Sequence, residues 1–276
     1  MISKRFSIVQ IALILSFAAP GMAQQPSTRL MDDLSWMEFR QLVPAKIPTV
    51  IVTVGTLEPH GVINNGADNT APVAIAQALA PDINALIAPH IPYGVTGSMA
   101  PYPGAMHIPE DAFRVYVRAV LEGMVKNGFR NIIVINGHGG PQTAILEQLA
   151  RDVSLARNVN TLVIQWWALA SDVTQEVFRE DGGHAAINET AFIQAINPKL
   201  VQRRLFTGPE WATPNPAPGA WSATPFPSSM TLYKEGQGLP KDFDQKKAEE
   251  YFRKVLARIS AFTLEVLNKW EASGFR

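Results

Sequence analysis

Two six-residue runs, "TVIVTV" at 49–54 and "NIIVIN" at 131–136, limit the fold more than anything else in the chain. Both are rich in β-branched residues and apolar at successive positions. A strand with one wet face would alternate, so these runs predict strands covered on both sides. Shorter runs of the same kind lie within "NALIAPHIPYG" and "TLVIQWW".

Segments of helical spacing separate the runs. "DDLSWMEFRQLVP" predicts a short helix capped by Asp32 or Asp33 and stopped by Pro44. "NTAPVAIAQALAPD" predicts a second, capped at Asn69 or Thr70 and stopped at Pro81. "PEDAFRVYVRAVLEGMVKNGF" has acids in its first turn and Gly128 as its C-terminal stop. "PQTAILEQLARDVSLA" opens on Pro141, "NETAFIQAIN" starts a further helix, and a long amphipathic one closes the chain. Strands alternating with helices of this length predict a mostly parallel sheet covered on both faces.

The first 23 residues are set apart. Lys4 and Arg5 precede an apolar stretch from Ile8 to Ala19, then small residues around Ala23. That layout predicts a secretory signal cut between Ala23 and Gln24, and the apolar part is too short for a stable membrane span. Residues 24–276 then form a single domain of ordinary size, whose formal charge moves from 0 to about −2. No basic cluster gives a footprint for nucleic acid. The chain has no cysteine, so any metal must be held by His, Asp and Glu. Export without disulfides predicts the periplasm or secretion. "GPEWATPNPAPGAWSATPFPSS" at 208–229 breaks the rhythm and predicts an ordered loop that covers something or meets another subunit.

Polar residues collect where strand-like runs end. Glu58, His60 and Asp68 follow the first run, His138 in "NGHGG" follows the third, and His184 and Glu189 in "EDGGHAAINET" precede a late helix. In parallel α/β sheets ligands sit beyond the carboxyl ends of the strands, which brings the first two clusters together. This donor set suits Zn, Mn or Fe(II). Read as residue types alone, Glu58 is equally a surface carboxylate, Asp68 a helix cap and His184 a residue leading into a helix. His90 reads as a structural histidine, and Trp166 and Trp167 as core or pocket wall.

Three segments, in order, carry a family likeness. "VTVGTLEPHGVINNGAD", "NIIVINGHGG" and "HAAINET" resemble the signature segments of the creatininase (creatinine amidohydrolase) family, with fainter likeness in "YGVTGSMAPYPG" and "EGQGLPKDFDQKKAEEYF". The resemblance implies a three-layer α/β/α sandwich, a centre of two divalent metal ions (Zn, Mn or Fe) and a homo-oligomer, often a hexamer. Carried over by position, Glu58 and His60 each bind one metal, Asp68 bridges them, His138 is a further ligand and Glu189 completes the site or stands behind it. A metal-activated hydroxide would attack an amide-type carbonyl, with His184 orienting the substrate or carrying a proton to the leaving nitrogen. Creatinine-hydrolysing members have Tyr and Glu after the turn histidine, where this chain has Gly139 and Gly140. Ile63 and Met99 stand where histidines are common. The expected metal ligands survive these changes; the expected substrate pocket does not.

These observations predict an exported metal-dependent amidohydrolase acting on a small cyclic amide, lactam or related C–N bond. The alternatives are a lactone or ester hydrolase or a peptidase on the same site, and a non-catalytic periplasmic metal or solute binding protein.

Overall fold

The computed structural model describes residues 26–205 and 244–274. The expected signal segment and the 208–229 stretch lie outside the described residues. Strands β1 (Thr49–Val54), β2 (Ala85–Ile87), β3 (Asn131–Asn136) and β4 (Asn160–Gln165) form one sheet in the order β2-β1-β3-β4, every pair parallel. Helices α1 (Trp36–Leu42), α2 (Ala67–Asp82), α3 (Glu110–Lys126) and α4 (Gly140–Arg157) alternate with them. After β4 come α5 (Trp166–Leu169), α6 (Ser171–Phe178), α7 (Ile187–Ile196) and α8 (Gln245–Ser273).

The continuous apolar runs are buried for the reason expected. Val50, Val52, Val54, Ile132 and Val134 point into one core with Phe113, Val117, Leu121, Ile145 and Leu149 of α3 and α4. Ile51, Ile133, Ile135 and Ile164 point the other way, onto Ile75, Leu79, Phe192, Tyr251 and Val255 of α2, α7 and α8. Successive residues of a strand serve opposite layers, and each fully buried aliphatic side chain contributes roughly 1.5–3 kcal/mol. The result is an α/β/α sandwich. Among the described residues no helix is long and apolar enough to cross a membrane.

Several element ends differ from the sequence expectation. Ser35 caps α1, in a reciprocal capping box with Glu38, rather than Asp32 or Asp33. Helix α2 begins at Ala67, not after Asn69, so Asp68 lies in its first turn, and Pro81 is inside it. The second tryptophan-bearing run ends as a strand at Gln165, and Trp166 and Trp167 begin α5. Pro72 in α2 has no N–H, so the helical bond to the Asp68 carbonyl is absent.

The topology fixes where ligands meet. From β1 the chain crosses to β2 on one side, and from β3 to β4 on the other. The crevice beyond the carboxyl ends of β1 and β3 is therefore the switch point of the sheet.

Candidate metal centre

Backbone approach at that switch point depends on two glycines. A Cβ at Gly55, just past β1, would stand 2.4 Å from the Asp68 carbonyl oxygen, and one at Gly137, just past β3, 1.9 Å from it. Only hydrogen at both positions lets the first turn of α2 sit on the strand ends and aim Asp68 between them.

Asp68 divides its carboxylate. Oδ1 lies 3.0 Å from His60 Nε2, and Oδ2 lies 3.0 Å from His138 Nδ1. Its partners are fixed from behind. The His60 Nδ1–H donates to the Glu58 carbonyl at 3.0 Å. The turn bearing His138 is held by Asn136, whose Nδ2 donates to the His138 carbonyl at 2.6 Å and whose Oδ1 accepts the His138 N–H at 3.2 Å. Gln142, fully buried, donates to that same Oδ1 at 3.0 Å and accepts the Val95 N–H at 3.0 Å, joining the middle loop to the turn.

The 184–189 segment closes the centre from the other side. Ala185 adopts a left-handed conformation (φ 47°), which turns the chain between His184 and α7. Glu189, in the first turn of α7, reaches back so that its Oε2 accepts the Ala185 N–H at 2.5 Å and stands 3.6 Å from His60 Nε2. The His184 Nε2–H donates to the Pro59 carbonyl at 2.8 Å. Its Nδ1 and the Nδ1 of His138 each approach Glu58 Oε1 to 3.2 Å. Neither approach has the direction of a hydrogen bond, and among the described residues both Glu58 oxygens are buried without a hydrogen-bond partner.

The charges are tightly opposed. Burial works against a cationic His60 and His138, but Asp68 with Glu58, and Glu189 at His60, override it and raise both to about 10. Burial also works against an anionic Asp68, yet the two histidines hold its pKa well below the usual carboxylate range. Burial raises Glu58, and pushes Glu189 up to about 8. His184 is lowered to about 3 by burial and by the neighbouring His60. Such values mark a place where charges are assembled before anything binds.

The donor atoms form three groups able to surround an ion: Glu58 with Asp68 and His138, His60 with Asp68 and Glu189, and Glu58 with His60 and His184. The first two share Asp68. A buried carboxylate without hydrogen bonds, beside imidazole nitrogens and a second carboxylate split between two histidines, fits divalent cations of the Zn, Mn or Fe(II) kind. All six expected site residues, Glu58, His60, Asp68, His138, His184 and Glu189, are thus brought together. Glu58 and His60 point into the same site, in one group with His184; His60 also faces Asp68 Oδ1 and Glu58 also faces His138. His90 stands behind the site, bonded to Thr53 and Asn69, and His107 bonds Thr96. Sequence reasoning missed Asn136, Gln142 and the carbonyls of Glu58 and Pro59. A hydrogen-bonding Asn before the turn and a Gln four residues after His138 were the only signals present.

Comparison with known proteins agrees with the fold. A creatinine amidohydrolase of Pseudomonas putida is 26% identical over 187 residues, which are 61% of this chain and 72% of that protein. A 3-dehydro-scyllo-inosose hydrolase of Thermotoga maritima is 27% identical over 178 residues, about half of that protein's length (53%) and 59% of this chain. Among solved structures, a manganese creatininase superposes with a TM-score of 0.71 at 21% identity, covering 86% of this chain and 98% of its own. A mutant creatininase of Zn–Zn type gives 0.70 at 20% identity with the same coverage. The family model described as creatininase, creatinine amidohydrolase, matches residues 32–263. This chain therefore belongs to the creatininase family.

Proposed function

We propose that the chain is an exported hydrolase that holds two divalent ions (Zn, Mn or Fe) and cleaves a C–N bond of a small cyclic amide, lactam or related substrate. As a member of its family it is a metal-dependent amidohydrolase. The observation that carries the two-ion reading is the division of Asp68: one oxygen faces His138 and Glu58, the other faces His60 and Glu189. Glu58, Asp68 and His138 would hold one ion, and His60, Asp68 and Glu189 the other. Bound there, the ions supply Lewis acidity toward a carbonyl and a nucleophile from water at neutral pH.

The chain's own residues do the rest. Asp68 sets the spacing of the two groups. Asn136 and Gln142 hold the His138 turn. Glu189 is anchored by the Ala185 N–H, and His184 is anchored by the Pro59 carbonyl, with Nδ1 facing Glu58.

The substrate we propose is not creatinine. Gly139 and Gly140 stand where creatinine-hydrolysing members have Tyr and Glu, and Gly140 lies at φ 60°, a conformation that disfavours any side chain. The Thermotoga relative, named for 3-dehydro-scyllo-inosose, supports a family whose members differ in substrate. Residues 24–276 as one catalytic domain, a periplasmic or secreted location and a homo-oligomeric, hexameric assembly complete the reading.

Elemental analysis of the purified protein tests it. Close to two transition-metal ions per chain, falling sharply in both Asp68→Ala and His138→Ala, is the expected result, followed by turnover in a screen of lactams and cyclic amides. Failure to bind metal after reconstitution with Zn, Mn and Fe(II) would overturn it.

A further inference from the structure

We propose that His184 is itself a metal ligand, through Nδ1, in the group it forms with Glu58 and His60. The inference rests on the two-ion reading above and goes beyond it, because the resemblance gives His184 a substrate-orienting or proton-carrying role.

The argument starts from the tautomer. A carbonyl oxygen can only accept, so the 2.8 Å contact between His184 Nε2 and the Pro59 carbonyl places the ring proton on Nε2. In the neutral ring Nδ1 then carries only a lone pair. That lone pair lies 3.2 Å from Glu58 Oε1, itself an acceptor with no hydrogen-bond partner. Two bare acceptors this close repel unless a proton or a metal ion lies against both. The arrangement is that of a histidine whose distal N–H is anchored so that its other nitrogen meets a metal.

His60 shows the same construction one residue away. Its Nδ1–H is anchored on the Glu58 carbonyl and its Nε2 faces a carboxylate. Consecutive carbonyls, those of Glu58 and Pro59, thus orient two imidazoles whose centroids lie 4.3 Å apart. His184 joins Glu58 and His60 in a group whose donor atoms all lie within 4.8 Å of one another. If His60 is a ligand by virtue of this geometry, His184 meets the same conditions.

His184 shares Glu58 with the group of Asp68 and His138, and His60 with the group of Asp68 and Glu189, so it adds a donor between the two. Its loss should weaken at least one of the two ions.

Cobalt(II) is the probe, since its visible absorption reports ligand number and type. The metal-free full chain is titrated with Co(II) alone, alongside His184→Ala, His184→Gln and Asp68→Ala, with circular dichroism to show that each variant is folded. The expected result is two equivalents in the unaltered protein, at least one of them ~10-fold or more weaker in both His184 variants and with altered absorption. Imidazole added to a His184→Gly variant restores the original absorption. Affinity and absorption of both equivalents unchanged in the folded His184 variants, while Asp68→Ala loses both ions, would overturn this inference and leave the two-ion reading standing. No Co(II) bound by the unaltered protein would overturn both.

Discussion

His60 and His184 come from segments more than a hundred residues apart, yet their rings lie with centroids 4.3 Å apart and 46° between planes. Each is pinned at its far nitrogen by a backbone carbonyl, those of Glu58 and Pro59. The strand-end segment 58–60 therefore supplies a carboxylate and a ring to the centre, and the orientation of a second ring as well.

Binding of metal should release protons. In the metal-free protein His60 and His138, both raised to about 10, are charged at pH 7, and a metal takes the atoms that hold those protons. His60 and His138 should release about two protons per chain loaded at pH 7, Glu189, raised to about 8, should release most of a third, and affinity should climb as pH rises from 6 to 8. Calorimetry in buffers of different ionisation enthalpy measures the number. Proton release near zero would mean the histidines are not the atoms displaced.

The same two residues set the pH response of the metal-free fold. A histidine raised above its unfolded value contributes stability that is complete below about 6.5 and is lost as pH rises through the folded value, here about 10. Thermal unfolding of the metal-free protein should therefore move to lower temperature between pH 7 and 10. Bound metal should flatten that slope, since the rings no longer carry the protons.

Close approach at the switch point makes two glycines sensitive. Gly137→Ala places a methyl 1.9 Å from the Asp68 carbonyl oxygen, and Gly55→Ala places one 2.4 Å from it. Overpacking of this kind costs ~1–3 kcal/mol, and relief requires the first turn of α2 to retreat. Both variants should unfold at lower temperature and bind metal more weakly, read by melting and by elemental analysis. Gly139→Ala, with φ −80° and its nearest neighbour, Trp167, at 3.8 Å, should leave both unchanged.

Much of this was legible in the sequence because β1 and β3 are apolar on both faces, which only a covered parallel sheet allows. The six site residues were legible as types at strand ends. Asp68 was misplaced outside its helix because α2 starts on Gly66, which offers no side-chain cap, so the search for a capping side chain settled on Asn69 or Thr70. The anchoring of His60 and His184 was not legible at all. Any residue has a carbonyl, and nothing in the letters at 58 and 59 says where it points.

His90 behaves in the opposite sense to the site histidines and gives the last prediction. It is partly buried, with Nδ1 at 2.8 Å from Thr53 Oγ1 and Nε2 at 2.9 Å from Asn69 Oδ1. Nδ1 also lies 3.1 Å from the Thr53 carbonyl, which can only accept, so a neutral ring donates Nδ1–H to Thr53 and leaves Nε2 to accept from the Asn69 side-chain amide. Burial lowers its pKa to about 4. For a histidine depressed in the fold, protonation favours the unfolded chain, so stability is complete above about 6.5 and declines as pH falls toward 4. The loss is of order 1–3 kcal/mol at the acid end, from a shift of one to a few units at 1.36 kcal/mol each. His90→Gln should remove this acid-side decline between pH 6.5 and 4 while lowering stability at pH 7, because the Asn69 contact is weakened. Asn69 adjoins Asp68, so the variant should also loosen metal binding at neutral pH. Urea unfolding at pH 7, 5.5 and 4.5, with and without the substitution, separates the two effects: parallel curves across that range would show that His90 does not titrate with folding.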